Sequence, residues 1–240
     1  MLHLRGLRYT ADNWRDDKHP YNVPAVKDIL ERGLSFDATI TFFVGENGAG
    51  KTTVLESIAV RYPRIGAFTP QLNTLGTTLS MEDAPLGWNA QLETDRNAAS
   101  DGFFLRASTL DTLLGTLEGE TRSRTRRNAS YIERSHGEGL LNVLQQHFDA
   151  RGFYLLDEPE TALSFRSQLS VVALLHHLAA RGSQVVCATH SPVLLSLPDA
   201  QILEFGDWGV RAVQREDLEL LRDWRSFLEQ PELWLRHLLE

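Results

Sequence analysis

Apolar residues fall into short blocks separated by polar, glycine-containing stretches, and their spacing changes along the chain. Residues 2–9 alternate loosely through Leu2, Leu4, Leu7 and Tyr9, which predicts a strand. Residues 10–33 are polar and carry Pro20 and Pro24, so they predict a loop and a short helix around 25–32. Residues 39–44 (TITFFV) form a β-branched and aromatic run, the pattern of a buried strand. This run enters GENGAGKTT and then VLESIAVRY, whose apolar spacing is helical. Residues 63–100 are rich in Pro, Gly, Asn, Thr and Ser and predict loops and short pieces. Residues 102–107 predict a strand, 109–117 a short helix and 138–150 a helix with Leu140, Leu141, Leu144 and Phe148 on one face. Residues 153–156 and 185–189 predict buried strands on either side of a helix over 165–180 that Gly182 ends. Residues 201–205 and 210–213 flank GDWG as a hairpin, and the tail from Glu216 is helical with a break at Pro231. Strands alternating with helices make this an α/β chain with a mostly parallel central sheet.

The contiguous strand, glycine loop and helix carry the first chemical signal. Gly45-Glu46-Asn47-Gly48-Ala49-Gly50-Lys51-Thr52 fits the spacing G-x-x-x-x-G-K-[ST], with Thr53 following. Glycines let successive N–H groups converge on phosphate oxygens, and the helix start adds partial positive charge. Lys51 is expected to reach the β- and γ-phosphates, and the Thr52 hydroxyl to ligate Mg²⁺, which takes hard oxygen ligands. A second signal is FYLLDEPE (residues 153–160), an apolar strand ending in two carboxylates. Strand C-terminal ends are where ligands bind in open α/β sheets. Asp157 is expected to hold Mg²⁺, directly or through water, and Glu158 to polarise the attacking water.

With Walker A at 45–52, Walker B at 153–158 and the run DEPETALS, the chain resembles an ABC-type P-loop ATPase. Within that family it is most similar to the SMC, RecF and OLD-like group, and it resembles compact bacterial ATPases without coiled coils more closely still. The resemblance spans most of the chain, anchored at 39–58 and 132–192. It implies a three-layer fold with a small antiparallel N-terminal subdomain and a helical insertion. Residues 1–240 are then expected to form a single ATPase domain, with 63–135 the insertion leading to the signature. His190, 33 positions after Asp157 and followed by Ser191-Pro192, corresponds to a histidine that contacts the γ-phosphate and attacking water in that family. Thr161–Ser164 lies where the family has its interface-crossing D-loop. Ser135-His136-Gly137-Glu138, with Ser135 22 positions before Asp157, resembles a shortened signature. The resemblance implies that Ser135 and Gly137 bind the γ-phosphate held by a second subunit. The same residues also read as a helix cap with a capping box, and the two roles are compatible.

Some family features are missing. The strand GFFLRA ends in Arg106-Ala107-Ser108 without the expected Q-loop glutamine, Gln71 is a weaker candidate, and Ser108 or water is left to fill the role. Tyr9, Trp14 and Tyr21 are the candidates to stack on adenine, or simply core aromatics. About 80 residues separate Lys51 from Ser135, too few for a long coiled-coil arm.

Composition narrows the partners. A formal net charge of −8 argues against a protein that coats nucleic acid. Arg122, Arg124, Arg126 and Arg127 form the one marked basic run, either a solvated loop or a partner contact. The lone Cys187 excludes an intrachain disulfide and suits a reducing cytoplasm. No apolar run approaches the roughly 20 residues that span a bilayer, and the first residues lack a signal-peptide pattern, so no membrane insertion is expected. The resulting expectation is a cytoplasmic Mg²⁺- and ATP-binding ATPase. It would act as an ATP-gated homodimeric switch with a protein or nucleic-acid effector, in DNA repair or defence. The alternatives are a transporter's nucleotide-binding subunit and a nucleotide-binding module that does not hydrolyse.

Overall fold

The computed structural model describes residues 2–10, 17–62, 84–99, 102–106, 151–236 and 238–239. The expected helices over 109–117 and 138–150, most of the expected 63–135 insertion, and Ser135 and Gly137 lie outside the described residues.

Strand β1 (Leu4–Tyr9) is followed by helix α1 (Pro24–Arg32), with proline at its start, where the missing N–H is no loss. Two residues, β2 (Leu34–Ser35), lead to β3 (Ile40–Gly45) and helix α2 (Lys51–Arg61). Strand β4 (Ala90–Thr94) arises in the stretch expected to hold loops and short pieces. Its sequence AQLET is too polar to announce a strand. Antiparallel pairing with β1 makes it one, Leu92 lying opposite Leu7. With β2 on the other side of β1, this is the small antiparallel sheet.

The main sheet comprises β5 (Gly102–Arg106), β6 (Phe153–Asp157), β7 (Gln184–Ala188), β3, β8 (Gln201–Gly206) and β9 (Gly209–Val213), in the order β5-β6-β7-β3-β8-β9. All pairs are parallel except the β8–β9 hairpin. Its central strands are apolar on both faces, as a covered parallel sheet requires. Alternate residues sort accordingly. Phe42, Leu156, Val185 and Cys187 face helix α3 (Phe165–Ala180), through Val171, Leu175 and Leu178. Phe43, Leu155, Val186 and Phe205 face α2, through Val54, Leu55 and Ile58, together with α1 and the small sheet. The result is a three-layer α/β fold with a mostly parallel central sheet. Helices α4 (Glu219–Glu229) and α5 (Pro231–Leu235) close the chain, broken before Pro231 as the sequence predicts.

Two buried side chains join the small sheet to the large one. The Gln184 amide oxygen accepts from the His3 and Leu4 N–H groups (2.7 and 2.8 Å), and its amide nitrogen donates to the Leu4 carbonyl (2.8 Å). The His3 ring contacts the Gly182 carbonyl through Nε2 and accepts the Ala99 N–H at Nδ1, 2.9 Å in each case. No helix among the described residues is long and apolar enough to cross a membrane.

Candidate functional site

The central position of β3 decides where the site lies. Its neighbours are β7 and β8, and β6 is one strand further, so loops leaving the C-terminal ends of β3, β6, β7 and β8 meet on one rim. The chain turns off β3 at Gly45. Its φ is +150°, and a Cβ there would stand 2.3 Å from the Phe205 carbonyl oxygen on β8. Gly50 starts α2 in the left-handed region (φ +97°), with Val26 Cγ2 only 2.8 Å from where its Cβ would be. These two glycines let the loop curl tightly against α1 and β8. Glu46, Asn47 and Gly48 are exposed between them, and Ala49 is half-buried with its N–H donating to Glu46 O (3.2 Å).

Lys51 is buried in this curl, 4% exposed. Its ammonium donates to the Gly45 and Glu46 carbonyls at 2.7 and 2.8 Å. Burial lowers its pKa, opposed by the nearby carboxylates Glu158, Asp157 and Glu160. The Thr52 hydroxyl donates to Asp157, 3.0 and 3.1 Å from its two oxygens, joining the first turn of α2 to the end of β6. Burial pushes the Asp157 carboxyl above its ordinary value, against the Thr52 hydrogen bond and the Arg106 charge. A hydroxyl and a carboxylate side by side at the end of a phosphate loop are the hard oxygen donors magnesium takes, completed by phosphate and water. Thr52 and Asp157 therefore fit that ion. Thr53 is half-buried one residue further along α2.

Glu158 leaves the strand with left-handed backbone (φ 50°, ψ 51°), its N–H donating to the Ala188 carbonyl at 2.9 Å. This bend turns the carboxylate toward His190, whose Nε2 lies 3.4 Å from Glu158 Oε1. The His190 N–H donates to Glu160 Oε1 at 2.5 Å. Ser191 fixes the next turn. Its hydroxyl donates to Gln168 of α3 (2.6 Å) and accepts the Val193 and Leu194 N–H groups, each at 3.1 Å. The loop 45–50, Lys51, Thr52, Asp157, Glu158 and His190 are thus adjacent on one rim.

Sequence reasoning missed two residues here. Glu160 holds the His190 backbone, and its only signal was an acid two places after Glu158. Arg106 stands where a glutamine was sought. It is in register with Asp157 across β5 and β6, with its Nε 4.0 Å from Asp157 Oδ2, and it pairs with Glu56 of α2. Gln71 and Ser108 lie outside the described residues, as does Trp14. Tyr9 is a packing residue: its hydroxyl meets Ser57 Oγ at 2.6 Å, and burial pushes its phenol upward. Tyr21 packs against the same core.

Beside the loop is a cleft of about 530 Å³ that runs from His190 past Gly45–Ala49 to the β8–β9 turn. A family model described as "AAA domain, putative AbiEii toxin, Type IV TA system" matches residues 140–196. The cytochrome c biogenesis ATP-binding export protein CcmA of Rhodopseudomonas palustris (strain HaA2) is 27% identical over 184 residues, covering 71% of this chain and 88% of that protein. The ABC multidrug transporter SNQ2 of Candida glabrata is 26% identical over 235 residues, covering 79% of this chain and 15% of that protein. Among solved structures, the SMC head domain from Thermotoga maritima aligns with a TM-score of 0.42 and 14% identity, over 75% of this chain and 92% of that one. Motifs, family model and curated relatives agree that the chain is similar to ATP-binding, ABC-type P-loop ATPases.

Proposed function

We propose that this chain binds Mg-ATP on the loop Gly45–Thr52 and hydrolyses it to ADP and phosphate. In this reading residues 1–240 act as one ATPase domain that closes into a homodimer when ATP is bound and opens after hydrolysis. The observation that carries it is the convergence of Lys51, the Thr52–Asp157 pair, and the Glu158–His190 pair at 3.4 Å on one sheet rim. Lys51 is already enclosed by the loop and exchanges carbonyl partners for β- and γ-phosphate oxygens. Thr52 and Asp157 would hold magnesium, and the ion would supply positive charge beside the transferring phosphoryl group. Glu158 accepts a hydrogen bond from the attacking water and draws off its proton as the bond to the leaving ADP oxygen breaks. His190 steadies that water and the γ-phosphate.

In this reading Ser135 and Gly137 of a second copy cover the outer side of the γ-phosphate. Glu158→Gln is expected to keep ATP binding, lose about 10²- to 10⁴-fold in turnover, and accumulate dimer. Light scattering with and without Mg-ATP tests this. A Glu158→Gln protein that binds Mg-ATP yet stays monomeric overturns the switch. A fully active one removes Glu158 as the base. Ser135→Arg should leave ATP binding intact and block the dimer.

The same chemistry serves a transporter's nucleotide-binding subunit, and the names of the two curated relatives favour that second reading. Arg106 in place of a glutamine, and His136 in the signature, weigh toward a cytoplasmic switch. The family model's description, which names a toxin, inclines that switch toward defence rather than DNA repair. Co-purification separates the readings: a membrane subunit supports the transporter, a soluble effector or nucleic acid the switch.

A further inference from the structure

We propose that Trp208 is the platform on which the base of the bound nucleotide stacks, an assignment that rests on the phosphate-loop reading above. The β8–β9 hairpin turns beside the loop because β8 is in register with β3, Gly45 lying opposite Phe205. The turn is two residues long, Asp207 and Trp208, between the paired Gly206 and Gly209. Neither Asp207 nor Trp208 has positive φ, and Gly209 takes the left-handed conformation (φ +99°), so position 208 accepts many residue types and the turn itself does not require an indole. Trp208 is 54% exposed, so it adds little to the core.

Its setting is nonetheless built. The Arg211 guanidinium lies over the indole, 4.2 Å from the ring centre. Buried Glu204 anchors Arg211 through contacts of 2.8 Å to Nε and 2.7 Å to Nη2. The indole also lies so close to Gly206 that a Cβ there would sit 2.6 Å from Trp208 Cζ2. Asp28 of α1 secures the return strand by accepting the Val210 N–H at 3.0 Å. The indole is thereby held on the wall of the cleft that starts at the phosphate loop, with about half of its surface exposed.

Charge sets the orientation of a ligand there. Asp207 is next to the indole, and Glu219 and Asp223 line the same cleft. These carboxylates disfavour a triphosphate on that side, whereas the loop N–H groups and Lys51 favour one. A flat, uncharged heterocycle with amino groups suits the acidic side. The apolar side chains of Val23 and Pro24 complete the wall. Tyr9 and Tyr21 are engaged in the core, as described.

The test compares two probes, Mg-ATP and Mg-tripolyphosphate, by titration calorimetry. Base–aromatic stacking is usually worth roughly 5- to 100-fold in affinity. Trp208→Ala should weaken Mg-ATP by about tenfold and leave tripolyphosphate unchanged, while Trp208→Phe keeps most of the ATP affinity. Equal losses for both probes, or none for ATP, overturn the assignment. Lys51→Ala separates the two levels of failure. If it weakens both probes while Trp208→Ala spares both, only the platform falls. If it affects neither, the phosphate-loop reading falls and takes the platform with it.

Discussion

Asp157 accepts two close contacts from one hydroxyl and sits near a guanidinium, yet its pKa is raised, because burial outweighs both. An acid that holds its proton more tightly when folded favours the fold below its unfolded value of 3.8. That advantage is lost as pH rises through the raised folded value, so at neutral pH its charge is a cost. Asp157→Asn should therefore raise the nucleotide-free melting temperature at pH 7, by roughly 2–4 °C in a chain of this size. The gain should vanish near pH 3, and magnesium-dependent ATP affinity should fall. Calorimetry at the two pH values checks the sign. The residues bearing these charges were legible from loop spacing and strand ends, because those motifs encode backbone geometry. Arg106 and Glu160 were not, since each acts through a contact set by strand register or by a fold-back of 30 residues.

At the scale of elements, Gln184 satisfies two N–H groups and one carbonyl of the His3–Leu4 segment. Gln184→Leu would leave all three buried backbone groups without a partner. Each such loss costs about 1–3 kcal/mol, so the variant should unfold well below the parent in urea. His3 adds a pH dependence to the same junction. Burial is the largest cause lowering its pKa from 6.5. Its stabilising effect is complete above that value and is lost as pH falls below it toward the folded value. A urea series from pH 7.5 to 5 should show this decline, and His3→Gln should flatten it. The helix cap at Ser164, whose hydroxyl accepts the Ser167 N–H at 3.2 Å, is a more local contribution. Ser164→Ala should cost about 1 kcal/mol. Most main-sheet strands were visible as apolar runs because that sheet is covered on both faces. Strand β4 was invisible because its pairing with β1, not its own sequence, makes it a strand.

For the molecule as a whole, binding and stability are linked. Mg-ATP at about 100 times its dissociation constant should add roughly 2.7 kcal/mol. Thermal unfolding followed against ATP concentration should show a continuing rise in midpoint for the parent, and none for Lys51→Ala. The curvature of the backbone at Glu158 bears on the same balance from the opposite side. A left-handed conformation costs an ordinary L-residue about 1–2 kcal/mol and glycine almost nothing. A lineage selected only for hardiness would accordingly drift toward glycine at this position, becoming sturdier and inert. An acid retained there would mark selection for turnover.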